Sequence, residues 1–209
     1  MDSISKLVEK FSKFPGVGGR QAKRFVYFLL SEDREQIKEL AETILHLGDN
    51  ISQCSHCFRF FNTEYSSNDV KVCDICSVVS TDKKVMMIVA KDIDLENIKK
   101  SGTYNGRYFV LNGLMPIAGK RNFAKLRTVE LAREIKRAVT EKEGLEEIIF
   151  AFAVNPEGDN TRMFLEKFLE ILVKENKIKL TTLGRGLSTG TELEYSDDST
   201  IKNALKNRE

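Results

Sequence analysis

Cys54-Ser55-His56-Cys57 and, fifteen residues further on, Cys73-Asp74-Ile75-Cys76 hold every cysteine of this 209-residue chain. Two Cys-x2-Cys knuckles at this separation have the zinc-ribbon spacing, which lets four thiolates converge tetrahedrally on one ion. An ion with no geometric preference of its own, Zn²⁺, suits such a set best. The alternative is a pair of disulfides, which need an oxidising compartment. The amino-terminal stretch Met1-Asp2-Ser3-Ile4-Ser5-Lys6 has no apolar export region, so the expectation is a cytoplasmic protein with one structural Zn²⁺ per chain. Four thiolates leave the ion no open position for catalysis. His56, inside the first knuckle, is expected to face solvent.

Upstream of the quartet the pattern is helical. Leu7, Val8 and Phe11 form an apolar stripe that breaks at Pro15-Gly16, and a second helix is expected from about Gln21 to Leu30. A third follows Asp33, with Ile37, Leu40, Ala41, Ile44 and Leu45 at helical spacing and Gly48 as its C-cap.

Downstream the periodicity changes. Val85-Met86-Met87-Ile88-Val89 has the composition of a buried strand, and Tyr108–Leu111, Ile148–Val154 and Ile178–Leu183 repeat it. Helices are expected between them, from Asp92 or Asp94 to Gly102, from Ala124 to Val139 and from Thr161 to Glu175, with a short closing helix near 198–206. Strands alternating with helices imply an α/β fold with a largely parallel sheet.

Hydrophobic residues make up 41% of the chain and charged residues 31%, the balance of a folded protein with a real core, and no apolar run approaches membrane-spanning length. The net charge of +2 hides local asymmetry: residues 99–137 carry ten basic groups against Glu130 and Glu134. Residues 1–30 are also basic, whereas 31–50 are acidic. The basic stretches either face a polyanion or form an ordinary solvated surface.

Between the first two helices lies Phe14-Pro15-Gly16-Val17-Gly18-Gly19-Arg20. The glycines permit a tight turn whose amides point outward at a helix start, where an anion is favoured. This is the helix-hairpin-helix pattern, a sequence-independent binder of DNA backbone. Val17 is expected to plug the turn, and Arg20, Lys23 and Arg24 would contact phosphates. A purely structural turn and a protein-assembly contact are the alternatives. Lys120, Arg121, Lys125 and Arg127 form a second candidate DNA-binding cluster.

With these parts in order, the chain resembles the bacterial RecR family of recombinational-repair proteins over essentially its whole length. The matching elements are Phe14-Pro15-Gly16-Val17-Gly18, the quartet Cys54, Cys57, Cys73 and Cys76, Gly106–Leu111, Asn155-Pro156, and the tail Arg185–Tyr195. The resemblance implies a helix-hairpin-helix domain over 1–51, a four-cysteine zinc finger over 52–80, and a Toprim α/β domain over 81–183. A Walker-B-like tail over 184–209 would pack on a neighbouring subunit. It also implies a non-enzymatic DNA-binding mediator, a ring-like tetramer or dimer of dimers. With RecO, and in some organisms RecF, such proteins help load the recombinase onto DNA coated by single-strand-binding protein.

Catalytic Toprim modules hold Mg²⁺ with an acid after the first strand and an Asp-x-Asp pair at a later strand end. RecR proteins usually keep the first acid; here Ala90-Lys91 stands there, removing charge where a cation would need it. Glu157 and Asp159 remain as an acidic pair near a strand end. They read either as a solvated loop capping the next helix or, by the resemblance, as a contact for RecO. The tail has no Gly-x4-Gly-Lys-Ser/Thr phosphate loop before it, so nucleotide hydrolysis has no physical support.

Overall fold

The computed structural model describes residues 2–63, 71–117, 126–142, 144–184, 194 and 198–206. Contacts divide the chain into two units, 1–51 and 52–209.

The first unit contains α1 (Ser3–Phe11), α2 (Gly19–Ser31) and α3 (Arg34–Leu45). Asp2 caps α1 by accepting the Ser5 N–H at 2.7 Å, as an N-cap carboxylate should. Ala22 and Val26 of α2 are the buried residues of this unit. Phe11 packs edge-to-face on Phe14 and Phe25, with centroids 5.7 and 6.0 Å apart. α3 buries no residue, and it ends at Leu45 with His46 as C-cap rather than at Gly48.

The second unit opens with β1 (Ile51–Gln53, whose first residue is the last of the first unit) and β2 (Phe60–Asn62), a two-stranded ribbon, and the short α4 (Asp74–Ser77). There follow β3 (Asp82–Val89), α5 (Asp92–Ser101), β4 (Gly106–Val110), α6 (Thr128–Thr140), β5 (Glu147–Ala151), α7 (Pro156–Glu175), β6 (Lys179–Thr182) and α8 (Asp198–Lys206). The four later strands form one parallel sheet in the order β4-β3-β5-β6.

Along β3 and β4 both faces of the sheet are buried, which explains why these strands read as unbroken apolar runs. Met86, Ile88, Phe109, Ile148 and Phe150 pack with Leu131 and Ile135 of α6 and with Leu165 and Leu169 of α7. Their neighbours along the strands, Met87, Val89, Tyr108, Val110 and Ala151, belong to a second cluster with Leu95 of α5, Phe61, Cys54, Cys57 and Cys73. The cysteine module therefore helps cover one sheet face, where a doubly wound fold would otherwise use helices alone. Each such aliphatic side chain contributes about 1.5–3 kcal/mol when fully buried.

Further boundaries differ from expectation. α6 begins at Thr128, not Ala124, with Arg127 as its N-cap. β5 stops at Ala151, three residues short of Val154. α7 begins at Pro156, five residues before Thr161, because Asn155 caps it and proline occupies its first turn, where a missing N–H leaves no bond unmade. Gly158 is needed there: a Cβ would lie 2.0 Å from the Ala153 carbonyl oxygen.

Candidate metal centre and nucleic-acid interface

The four cysteine sulfurs all lie within 4.8 Å of one another, the Cys57 and Cys73 sulfurs at 3.5 Å. Four thiolates about 2.3 Å from a tetrahedral Zn²⁺ would be about 3.8 Å apart, so the donor set fits. The cysteines are free, and 3.5 Å is far beyond a sulfur–sulfur bond of about 2.05 Å.

Local backbone geometry builds the site. Cys54 N–H donates to the Arg59 carbonyl at 2.9 Å and Phe58 N–H to the Cys54 carbonyl at 3.1 Å, closing the first knuckle. Phe58 takes a left-handed φ of 61° to do so. Cys73 N–H donates to the Cys54 sulfur at 3.4 Å, joining the two knuckles. Hydrogen bonds from Cys57 and the other thiols hold the Cys54 thiol well below its ordinary value. Cys57 and Cys76 are pushed up, chiefly as hydrogen-bond donors to Cys54 and further by burial. Four clustered thiolates, three of them buried and Cys76 partly so, are incompatible without a compensating cation, and the set can hold a metal ion.

Around the cysteines, polar contacts fasten the module to the sheet. The Phe60 N–H donates to Asp92 Oδ1 at 2.8 Å. The Arg59 guanidinium pairs with Asp74 and with Glu96 of α5, both at 3.1 Å. Lys99 Nζ reaches Asp74 at 2.7 Å. At the sheet edge, the Val110 N–H donates to the Cys57 carbonyl at 2.8 Å.

His56 is not simply solvent-facing: it is half-buried, with Nδ1 3.4 Å from Glu134 Oε2 of α6. Arg127 sits inward as well. Its Nη1 donates to the carbonyls of Phe58 and Val110, each at 3.0 Å, and its guanidinium lies 5.5 Å from the Phe58 ring centroid. Lys120, Arg121 and Lys125 lie outside the described residues, as does most of the 185–195 tail.

In the hairpin, Gly16 has φ of +77°, the left-handed conformation that requires glycine, and the Val17 N–H donates to the Phe14 carbonyl at 3.0 Å. Val17 is half-buried, as a plug should be. Gly18 caps α2 without a side-chain hydrogen bond, and a Cβ at Gly18 or Gly19 would meet nothing within 4 Å. Arg20, Lys23 and Arg24 are exposed on the first turns of that helix.

The chain matches family models described as RecR, helix-hairpin-helix over residues 4–47, Toprim domain over 84–184 and RecR, C-terminal over 186–209. It is 32% identical to the recombination protein RecR of Chloroherpeton thalassium over 206 residues, covering 99% of this chain and 96% of that one. The chain belongs to the RecR family. Two further RecR relatives are those of Pediococcus pentosaceus, at 31% identity over 99% of this chain and 96% of that one, and of Ligilactobacillus salivarius, at 29% over 100% and 97%. The parallel sheet with its helices is the Toprim fold expected of a RecR chain, and among the described residues no helix is long and apolar enough to cross a membrane.

Within this RecR fold, the position after β3 carries buried Ala90 and then Lys91. The acids that follow are engaged: Asp92 with Phe60, and Asp94 with the Lys91 N–H at 3.0 Å. Glu157 and Asp159 sit in the first turn of α7 rather than in a loop. Glu157 is exposed; Asp159 lines a recess of about 180 Å³ with Arg162, Phe152 and Thr182 at the carboxyl ends of β5 and β6. Sequence reasoning missed Thr161. Its buried hydroxyl donates to the Glu157 carbonyl at 2.7 Å and accepts the Met115 N–H at 2.8 Å, fastening the loop after β4 to α7. Asn155-Pro156, an N-cap followed by a first-turn proline, was the available signal for that helix start.

Proposed function

We propose that this chain is a cytoplasmic, non-catalytic mediator of recombinational repair that grips DNA through its helix-hairpin-helix and is braced by a structural Zn²⁺ at Cys54, Cys57, Cys73 and Cys76. It acts as a ring-like homo-oligomer and, with RecO and in some organisms RecF, helps load the recombinase onto DNA coated by single-strand-binding protein.

One observation carries the DNA reading. The start of α2 combines an uncapped set of backbone N–H donors, open space beside Gly18 and Gly19, and three exposed cations. A helix start of this kind attracts a phosphate, and glycines that no internal contact requires leave room for a partner's backbone. The duties of Asp92 and Asp94, and the methyl group of Ala90, support a passive role, because metal-assisted phosphoryl transfer needs free carboxylates at that strand end.

Assembly is supported by the first unit's surface. Tyr27, Phe28, Leu30, Ile44, Leu45 and Leu47 are each more than half exposed. Exposed apolar side chains on α2 and at the end of α3 suit burial against a partner, and a second copy of the chain is the occupant of choice. In the same reading, Glu157 and Asp159 are the contact for RecO.

Fluorescence anisotropy of a labelled oligonucleotide across a salt series tests the DNA contact. Changing Arg20, Lys23 and Arg24 together to Ala should weaken binding and reduce the salt slope by about 0.7–0.9 for each phosphate left without its cation. Unchanged affinity at low salt would refute the head as the DNA grip.

A further inference from the structure

A groove of about 440 Å³ runs between the second knuckle and the edge strand β4. One wall is apolar, made by Ile75 and Val78. Along the floor, Arg107 pairs with Glu141, and Arg137 pairs with both Glu141 and Glu134. These two guanidiniums are therefore spent on two carboxylates. Lys83 and Lys142 also line the groove; neither makes a direct ion pair among the described residues, although the Lys83 charge helps hold the Glu141 carboxyl ionised. Tyr108, only 4% exposed, lines the groove as well, and its hydroxyl has no hydrogen-bond partner among the described residues.

We propose that this groove binds a nucleoside monophosphate, its phosphate between Lys83 and Lys142 and its base against Ile75, Val78 and Tyr108. The charge type selects the ligand. A carboxylate is best held by the fork of a guanidinium, and both forks here are occupied. What remains is two ammonium groups, point charges that suit a phosphate monoester carrying about −1.5 to −2 at neutral pH. The apolar wall of Ile75 and Val78, with Tyr108 beside it, asks for a flat apolar body, which a nucleobase supplies. A volume of about 440 Å³ falls in the range of small-molecule sites, about 300–1,000 Å³. The ligand arrives either as a free nucleotide or as the 5′-phosphorylated end of a DNA strand.

Isothermal titration of the metal-loaded full chain with deoxyadenosine 5′-monophosphate, deoxyadenosine and inorganic phosphate tests this. The nucleotide should bind saturably, at least about tenfold more tightly than either fragment, and Lys83→Glu with Lys142→Glu should weaken it at least about tenfold. Lys142→Glu alone, at an exposed position, should weaken it without disturbing the fold. No saturable binding, equal affinity in Lys142→Glu, or binding of an aspartate-rich peptide in place of the nucleotide would overturn the proposal.

Oligonucleotides with and without a 5′-phosphate identify the source. A preference for the phosphorylated strand that both lysine changes erase assigns the strand end; nucleotide binding without that preference assigns the free nucleotide. The titration contains no DNA, so its failure leaves the head's role standing, and the converse holds for the head variants.

Discussion

The backbone N–H of Phe60 donates to the carboxylate of Asp92 at 2.8 Å, tying the strand after the first knuckle to the first turn of α5. The first carboxylate after β3 is thereby committed to holding the cysteine module on the sheet. Arg59, between Asp74 and Glu96, completes the same seam with a guanidinium that is largely buried.

Asp92→Ala should loosen this seam. Because this contact is solvent-exposed, losing it costs about 0.5–1.5 kcal/mol. Urea denaturation should show the drop, and the variant should surrender its metal to a chelator faster than the parent. An unchanged midpoint and release rate would refute the role given to Asp92.

Cys54→Ser or Cys73→Ser should lose the metal and destabilise the sheet face that the module covers, because ligand binding and local folding are one event. Elemental analysis measures this directly. Stoichiometric zinc in both variants would contradict a four-thiolate centre.

Gly158→Ala should be strongly destabilising for a single methyl group. The added carbon would lie 2.0 Å from a backbone oxygen that no side-chain rotation can move. Overpacking of this kind costs about 1–3 kcal/mol or more, and thermal unfolding should report a clear fall in Tm. A Tm equal to the parent's would mean that α7 starts differently.

Acid should weaken the lattice beneath the groove. Hydrogen bonding from Arg107 holds the Glu141 carboxyl below its ordinary value of 4.5. A carboxyl depressed by folding contributes stability above its unfolded value, and that contribution is lost as pH falls below about 4.5 through the folded value. Glu141→Gln should therefore lose less stability than the parent between about pH 7 and pH 3.5, as read by urea midpoints. Parallel profiles for the two proteins would remove Glu141 from the account.

Legibility in the sequence followed the range of each signal. The quartet needed only spacing, and the sheet needed only apolar runs such as Ile148–Phe150, because both carry their physical reason locally. The start of α7 was also local, in Asn155-Pro156, but the polar Glu157-Gly158-Asp159 that follows has no apolar period and reads as loop. Arg127 was different in kind. It stands in a basic stretch and reads as a phosphate contact, yet its guanidinium reaches carbonyls at Phe58 and Val110, 69 and 17 residues away.

From the amino acids alone came the donor set for a metal, the tight turn at Gly16, the parallel α/β order and the resemblance to RecR. Each is written in neighbouring residues, where spacing and backbone preference act directly. Only the tertiary structure decided which charges are already spent. Asp92, Arg59, Arg127, His56 and Glu134 find their partners across long separations, and a charged side chain is available to a ligand only when the fold has not satisfied it first.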